Sequence, residues 1–72
     1  MEELINIIAD VLGIDKKDIT INSRRDEIEE WDSLAHIQII AEIEEQFDVN
    51  LPFEKVAEIE EISEFLKYIE VV

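Results

Sequence analysis

Apolar side chains recur at intervals of three and four residues along most of this chain, which is the spacing that places them on one face of an α-helix. The first such stripe consists of Met1, Leu4, Ile5, Ile8, Val11 and Leu12. Gly13 follows the stripe directly, and glycine is a typical residue just beyond a helix end. The pattern therefore predicts a first helix that ends at Gly13.

A second helix is predicted to begin at Asp32 or Ser33 and to end at about Phe47. Asp32 is a suitable N-cap because its carboxylate can accept hydrogen bonds from the free amides of Leu34 or Ala35. The region between the first two helices, residues 14–31, sustains no helical period. Its isoleucines either close the top of a helical core or belong to a functional loop, since an unstructured connection of this length is uncommon in a compact domain.

The last third of the chain predicts two more helices. The segment Asp48-Val49-Asn50-Leu51-Pro52 ends the second helix and turns the chain. Pro52 suits the first turn of a short third helix, roughly Phe53 to Glu58. The closing helix carries Ile62, Phe65, Leu66 and Ile69 at helical spacing, with Val72 beyond.

These elements predict one all-α domain over residues 1–72. Its architecture is a four-helix bundle with a short third helix and a long loop between helices one and two. A chain of 72 residues is the length of a single domain, and 47% apolar residues suffice for one core.

The charge of the chain excludes several classes of function. A net charge of −14 argues against nucleic-acid binding, which needs a basic face, and against anionic membrane surfaces. No apolar run reaches the roughly 18 residues of a membrane span. The absence of cysteine fits a reducing cytoplasm, where we expect the protein. Partners should present Lys and Arg, unless the charge only provides solubility.

The second helix carries apolar side chains on two faces when it is drawn at about 100° per residue. One broad face, predicted to be core, consists of Ile39, Ile40, Ile43 and Phe47. The other consists of Leu34, Ile37 and Ala41, with Glu44 and Glu45 at its rim. A small chain has little protein to cover both faces, so the second is predicted to bind a basic partner. The alternative is that the long loop or helix three covers it.

Ser33 is the candidate residue for chemistry. Self-contained serine catalysis is disfavoured, because no G-x-S-x-G elbow is present and only His36, three residues later, could act as a base. His36 is instead interpreted as a partly buried helix residue near the loop. No calcium-loop or di-iron motif occurs, so no metal site is expected. Ser33 then remains as the acceptor of a phosphate ester, in the first turn of a helix that favours anions.

The tripeptide Asp32-Ser33-Leu34 at the start of the second helix resembles the D-S-L attachment motif of the acyl carrier protein family. Three further stretches support the resemblance, namely "IEEQF" (43–47), the Leu51-Pro52 turn and a closing "FLKYI" (65–69). Length, acidity, helix order and the long first loop also fit. The resemblance therefore covers nearly the whole chain.

The resemblance implies that Ser33 receives 4′-phosphopantetheine from coenzyme A through a separate phosphopantetheinyl transferase that uses magnesium. The thiol of this arm would carry acyl groups as thioesters, so the protein would be a carrier and not an enzyme. It would present acyl intermediates to enzymes of fatty-acid, polyketide or related biosynthesis that have basic docking patches. A monomer is expected.

The resemblance also implies roles for the residues around Ser33. Asp32 matches the acidic residue before the attachment serine. The apolar docking positions of the family's second helix are matched by Leu34, Ile37 and Ala41, and its acidic contact positions by Glu44 and Glu45.

The chain departs from housekeeping fatty-acid carriers at a few positions near the motif. The departures are Glu30-Trp31 in place of a Gly-Ala pair, Ala35 and Gln38 in place of acids, and Arg24 and Arg25 in place of apolar loop residues. They favour a specialised, free-standing carrier that serves a dedicated acyl- or aminoacyl-activating enzyme. The alternatives are an aminoacyl or peptidyl carrier and an unmodified acidic helical interaction domain.

Overall fold

The structure is a computed structural model that describes residues 2–69. It contains four α-helices: α1 (Glu2–Leu12), α2 (Ser33–Phe47), α3 (Phe53–Val56) and α4 (Leu66–Ile69). Short 3-10 turns occupy Lys16–Asp18, Arg25–Glu27 and Ile62–Phe65, the last of which runs directly into α4. The predicted all-α class with four helices and a long first connection is confirmed. Met1 and Val72, which the sequence assigned to the first and last helical stripes, lie outside the described residues.

α1 and α2 form the main helix pair of the domain. The buried face of α1 consists of Leu4, Ile8, Ala9 and Leu12. It packs against α2 through the broad face predicted from the wheel, where Ile39, Ile40 and Ile43 are buried and Phe47 is partly buried. Helix pairs are stabilised mainly by such apolar contacts, because short helices are marginal on their own in water.

The ends of these helices follow from individual residues. Gly13 adopts φ +71°, a left-handed conformation that ends α1 as predicted, and a Cβ there would meet nothing within 4 Å. Backbone conformation, not lack of space, therefore explains the glycine. α2 begins with Asp32 as its N-cap, whose carboxylate accepts a hydrogen bond from the Ala35 amide at 2.8 Å. It ends at Asp48, which is left-handed at φ 55° and donates its amide to the Glu44 carbonyl.

Two helix boundaries differ from those predicted. α3 ends at Val56 instead of Glu58, because the Glu58 amide donates to the Lys55 carbonyl at 3.4 Å and the chain continues as a turn. This turn brings Ile59 into the core beside Val56. The closing helix starts as a 3-10 turn, where the carboxylate of Glu64 accepts from the Glu61 amide at 3.3 Å. Short 3-10 segments are common at helix ends.

The long connection is a packed part of the core. Ile19 and Trp31 are buried at 4% and 2% exposure, and Ile14, Ile21 and Ile28 are partly buried against the same core. Backbone hydrogen bonds tie this connection to the segment before α4: Arg25 N to Glu60 O at 2.6 Å, Ile62 N to Ser23 O at 3.1 Å and Ser63 N to Ile21 O at 2.9 Å. Of the two interpretations of its isoleucines, closure of the core is therefore the one observed.

An ion-pair cluster reinforces this contact at the surface. The Arg24 guanidinium lies 3.1 Å from Glu60, 3.5 Å from Glu61 and 3.6 Å from Asp26.

Within residues 2–69, no helix has the length and apolarity needed to cross a bilayer.

The packed connection makes a testable distinction between two isoleucines. Ile19→Ala should lower the free energy of unfolding by about 2–4 kcal/mol, because it opens a cavity in a closed core. Ile37→Ala, at a side chain that is 51% exposed, should change it by no more than about 0.5 kcal/mol. Urea titration followed by circular dichroism measures both, and equal losses would contradict the packed-loop description.

Candidate functional site

Ser33 is the first residue of α2 and its side chain is exposed. The preceding Asp32 directs its carboxylate to the amide of Ala35, so this acid caps the helix rather than contacting the serine. The Ser33 hydroxyl oxygen accepts a hydrogen bond from Nη2 of Arg25 at 3.4 Å. The arrangement presents one hydroxyl to solvent at a fixed helix start, beside a cation.

Arg25, one of the two loop arginines that depart from the family pattern, lies beside Ser33. Its Nε donates to the Trp31 carbonyl at 3.4 Å, and its Nη2 reaches Ser33. Over the part of the chain that the structure describes, Arg25 forms no ion pair, whereas its neighbour Arg24 pairs with three carboxylates. The sequence feature that could have indicated this contact is an arginine shortly before the serine in a very acidic chain.

Trp31, His36 and Val56 form a buried chain of hydrogen bonds, here called the relay, beside the start of α2. Trp31 donates its indole N–H to Nδ1 of His36 at 2.9 Å, and Nε2 of His36 lies 2.8 Å from the Val56 carbonyl. Because an indole nitrogen can only donate, Nδ1 accepts and Nε2 carries the proton that bonds to Val56. The relay joins the long connection, α2 and α3 through one neutral imidazole.

The prediction that His36 is partly buried is wrong, because its side chain is only 3% exposed. Trp31 stacks on it with ring centroids 5.9 Å apart, and Phe65 covers it at the same distance. The sequence contained a signal for this, namely a lone Trp and a lone His five residues apart at a helix start. Nothing in the local pattern indicated the third member, a backbone carbonyl twenty residues away.

The relay also decides what Ser33 can do chemically. Both ring nitrogens of His36 are engaged, so neither is available to take a proton from the serine. No group of three or more His, Cys, Asp or Glu side chains within residues 2–69 is arranged to hold a metal ion. The hydroxyl is therefore exposed but has no activating base among these residues.

The pKa of His36 lies below its ordinary value. Burial of the ring is the main cause, the nearby positive charge of Arg25 lowers the pKa further, and the hydrogen bond to Val56 opposes both. A histidine with a lowered pKa in the folded state stabilises the fold fully above the unfolded value of about 6.5, and this stability is lost as the pH falls below it.

This lowered pKa predicts the pH dependence of stability. Between pH 7.5 and 5.5 the contribution of His36 to the free energy of unfolding should fall, because the unfolded state takes up a proton on this ring more readily than the folded state does. His36→Gln keeps one donor and one acceptor and should show a flatter profile from a lower starting stability. The carboxylates are the same in both proteins, so identical slopes in urea titrations would contradict the assignment.

The second apolar face of α2 is open to solvent. Leu34 is 65% exposed, Ile37 51%, and Ala41 is also exposed, so neither the long connection nor α3 covers this face. α3 instead extends it with Phe53, which is 55% exposed and was not predicted as a surface residue. A shallow pocket of about 210 Å³ lies between the two helices, lined by Arg25, Ser33, His36, Ile37, Phe53 and Ala57.

The two glutamates at the rim of this face differ in their surroundings. Glu44 is half-buried, and its carboxylate accepts the Leu51 amide at 2.8 Å, which fixes the turn after α2. Glu45 is exposed. Glu44 therefore has a structural contact that the sequence did not reveal, and the predicted docking roles of both residues stay predictions.

Residues 2–69 match the family of the phosphopantetheine attachment site. The chain belongs to this family. It is 36% identical over 69 residues to the acyl carrier protein of Lactococcus lactis subsp. cremoris, a match that covers 96% of this chain and 90% of that protein. An acyl carrier protein of Rickettsia bellii is 34% identical over 68 residues, covering 94% of this chain and 79% of the relative.

A similar sequence also occurs within a much larger protein. The 3-methylorcinaldehyde synthase of Talaromyces stipitatus is 36% identical over 64 residues, which is 89% of this chain but 2% of the synthase. The resemblance to acyl carrier proteins is thus confirmed, and the protein is a carrier of this family and not a catalyst. Its prosthetic group is 4′-phosphopantetheine.

The surroundings of Ser33 fit such a group. The hydroxyl is exposed, and the guanidinium of Arg25, a group that binds phosphate well, lies 3.4 Å from its oxygen. Among the described residues no carboxylate forms a hydrogen bond with Ser33.

Proposed function

We propose that Ser33 is the attachment residue and that the chain holds acyl intermediates as it presents them to biosynthetic enzymes. When bound, the 4′-phosphopantetheine arm supplies a terminal thiol that carries acyl groups as thioesters, which a chain without cysteine does not supply itself. The observation that carries the proposal is the exposed Ser33 hydroxyl at the start of α2, which has no activating base among residues 2–69 and so calls for an external transferase.

The proposed partners are a phosphopantetheinyl transferase and the acyl- or aminoacyl-activating and acyl-transferring enzymes that read the loaded arm. The exposed apolar side chains Leu34, Ile37 and Ala41 support a docking surface on α2, and the net charge of −14 supports partners with basic patches. Asp32, Glu44 and Glu45 are the proposed acidic contributors, with Glu44 also committed to the turn at Leu51.

An acyl cargo from fatty-acid, polyketide or related biosynthesis is favoured over an aminoacyl one because relatives that match most of the chain are acyl carrier proteins. The departures at Trp31, Ala35 and Gln38 support a specialised carrier with a dedicated partner. A monomeric state and a cytoplasmic location are part of the same proposal.

Attachment at Ser33 is tested by intact mass after incubation with coenzyme A, magnesium and a broad-specificity transferase. Wild type should gain the mass of one phosphopantetheine, and Ser33→Ala should gain none because the acceptor oxygen is lost. Ser63→Ala is the matched control, since among residues 2–69 its hydroxyl donates only to Glu61, and its loss should leave the mass gain intact.

No mass gain on wild type with several transferases would contradict both the acyl and the aminoacyl carrier and leave the unmodified interaction domain. If the gain occurs, incubation of the modified protein with fatty-acyl and aminoacyl ligases ranks the two cargo classes.

The docking surface is tested by charge reversal at Glu45, which is exposed and free of the structural contact that Glu44 makes. Glu45→Lys should lower the kcat/KM of transferase modification by about three- to tenfold at low salt, with less effect at high salt. Glu3→Lys on α1 changes the net charge equally and should have a smaller effect. Equal losses in the two variants, with unchanged circular dichroism, would exclude a specific acidic rim.

A further inference from the structure

We propose that Arg25 binds the phosphodiester of the phosphopantetheine arm and fixes the side of Ser33 from which the arm leaves. This inference rests on the proposed attachment at Ser33. It assigns a positioning role to a residue outside the D-S-L motif, in the connection between α1 and α2.

The first observation is the position of the guanidinium. Its Nη2 lies 3.4 Å from the Ser33 oxygen, which is long for a hydrogen bond between these groups. A phosphorus atom bonded to that oxygen would bring two further acceptor oxygens to the same place. Arginine binds phosphate through several N–H groups held in one plane, so a phosphodiester suits this donor better than a hydroxyl.

The second observation is the charge state of the surroundings. Among residues 2–69 the side chain of Arg25 donates only to the uncharged Trp31 carbonyl and Ser33 hydroxyl, and three of its five N–H groups meet no acceptor. Arg24, one residue earlier, is neutralised by Asp26, Glu60 and Glu61. In a chain of net charge −14, an arginine without an ion pair beside the acceptor oxygen is a local site for an anion.

The third observation is that Arg25 is held from both ends. Its backbone amide donates to the Glu60 carbonyl at 2.6 Å, and its Nε donates to the carbonyl of Trp31 at 3.4 Å. Trp31 is in turn fixed by the hydrogen bond to His36. The guanidinium is therefore placed before any anion arrives, which lowers the entropy lost on binding.

The two pockets that Arg25 lines decide the direction. One, of about 420 Å³, is shared with Asp26, Trp31 and Glu60, whose two carboxylates repel a phosphate. The other is the pocket of about 210 Å³ between α2 and α3, which contains Ser33, Ile37 and Phe53 and has no carboxylate in its lining. The phosphodiester, and the arm that follows it, should therefore lie on the α3 side of Ser33.

The test uses the phosphopantetheine-modified full chain, with modification verified first by intact mass. Two NMR signals are measured: the ³¹P chemical shift of the phosphodiester, and the solvent exchange of the Arg25 Nε–H. We expect modification to slow this exchange about two- to fivefold, the factor that corresponds to a typical exposed ion pair. We expect Arg25→Gln to move the ³¹P shift toward its value in the same modified protein unfolded in urea.

Matched variants separate a specific contact from a general charge effect. Arg24→Gln removes the same charge one residue earlier and should leave the ³¹P shift at the wild-type value. Arg25→Lys should give a ³¹P shift between that of wild type and that of the protein unfolded in urea. A ³¹P shift that is the same in wild type and Arg25→Gln would overturn the inference. Equal changes from the wild-type shift in Arg24→Gln and Arg25→Gln would overturn it as well.

The failure of this inference is distinguishable from failure of the proposed function. Absence of a mass gain on wild type overturns the attachment at Ser33 and this inference together, whereas a mass gain with unchanged ³¹P and Nε–H signals overturns the role of Arg25 alone. Should Arg25→Gln fail to fold by circular dichroism, the exchange rate of the wild-type Nε–H before and after modification decides the matter.

Discussion

The hydrogen-bonded relay from Trp31 through His36 to Val56 is the interaction on which the presentation of Ser33 depends. Ser33 lies in the chain between the first two of these residues, so fixing their rings fixes the start of α2. Each of the buried donors and acceptors would cost about 1–3 kcal/mol if left unpaired, which couples the long connection, α2 and α3 into one unit. A carrier has no catalytic step of its own, and what its fold contributes is a constant position for the group that partners must reach.

The two arginines of the long connection, Arg24 and Arg25, have different surroundings in this strongly acidic chain. Arg24 forms ion pairs with carboxylates of the segment before α4. Arg25 faces the candidate attachment oxygen and forms no ion pair within residues 2–69. Exposed ion pairs contribute little to stability, so the pairing of Arg24 matters chiefly for which of the two guanidinium groups is left for an anion.

α2 packs in the core with one apolar face and presents a second apolar face to solvent. Ile39, Ile40 and Ile43 are buried against α1 and the rest of the core, while Leu34 and Ile37 remain in solvent beside Phe53 of α3. Grouped exposed apolar side chains of this kind are typical of a surface that binds other proteins. The core face fixes α2 against α1, and the exposed face takes no part in that packing.

The sequence by itself determined the all-α class, the end of α1, the bounds of α2, the Asp32 cap, both faces of α2 and the candidate serine. These features depend on local spacing and on hydrogen bonds between residues close in the chain, which the order of amino acids specifies directly. The tertiary structure alone decided the burial of His36, the contact of Glu44 with Leu51, the early end of α3 and the place of Arg25 beside Ser33. Each of these depends on which backbone groups of distant segments are brought together by packing, and no periodicity in the sequence carries that information.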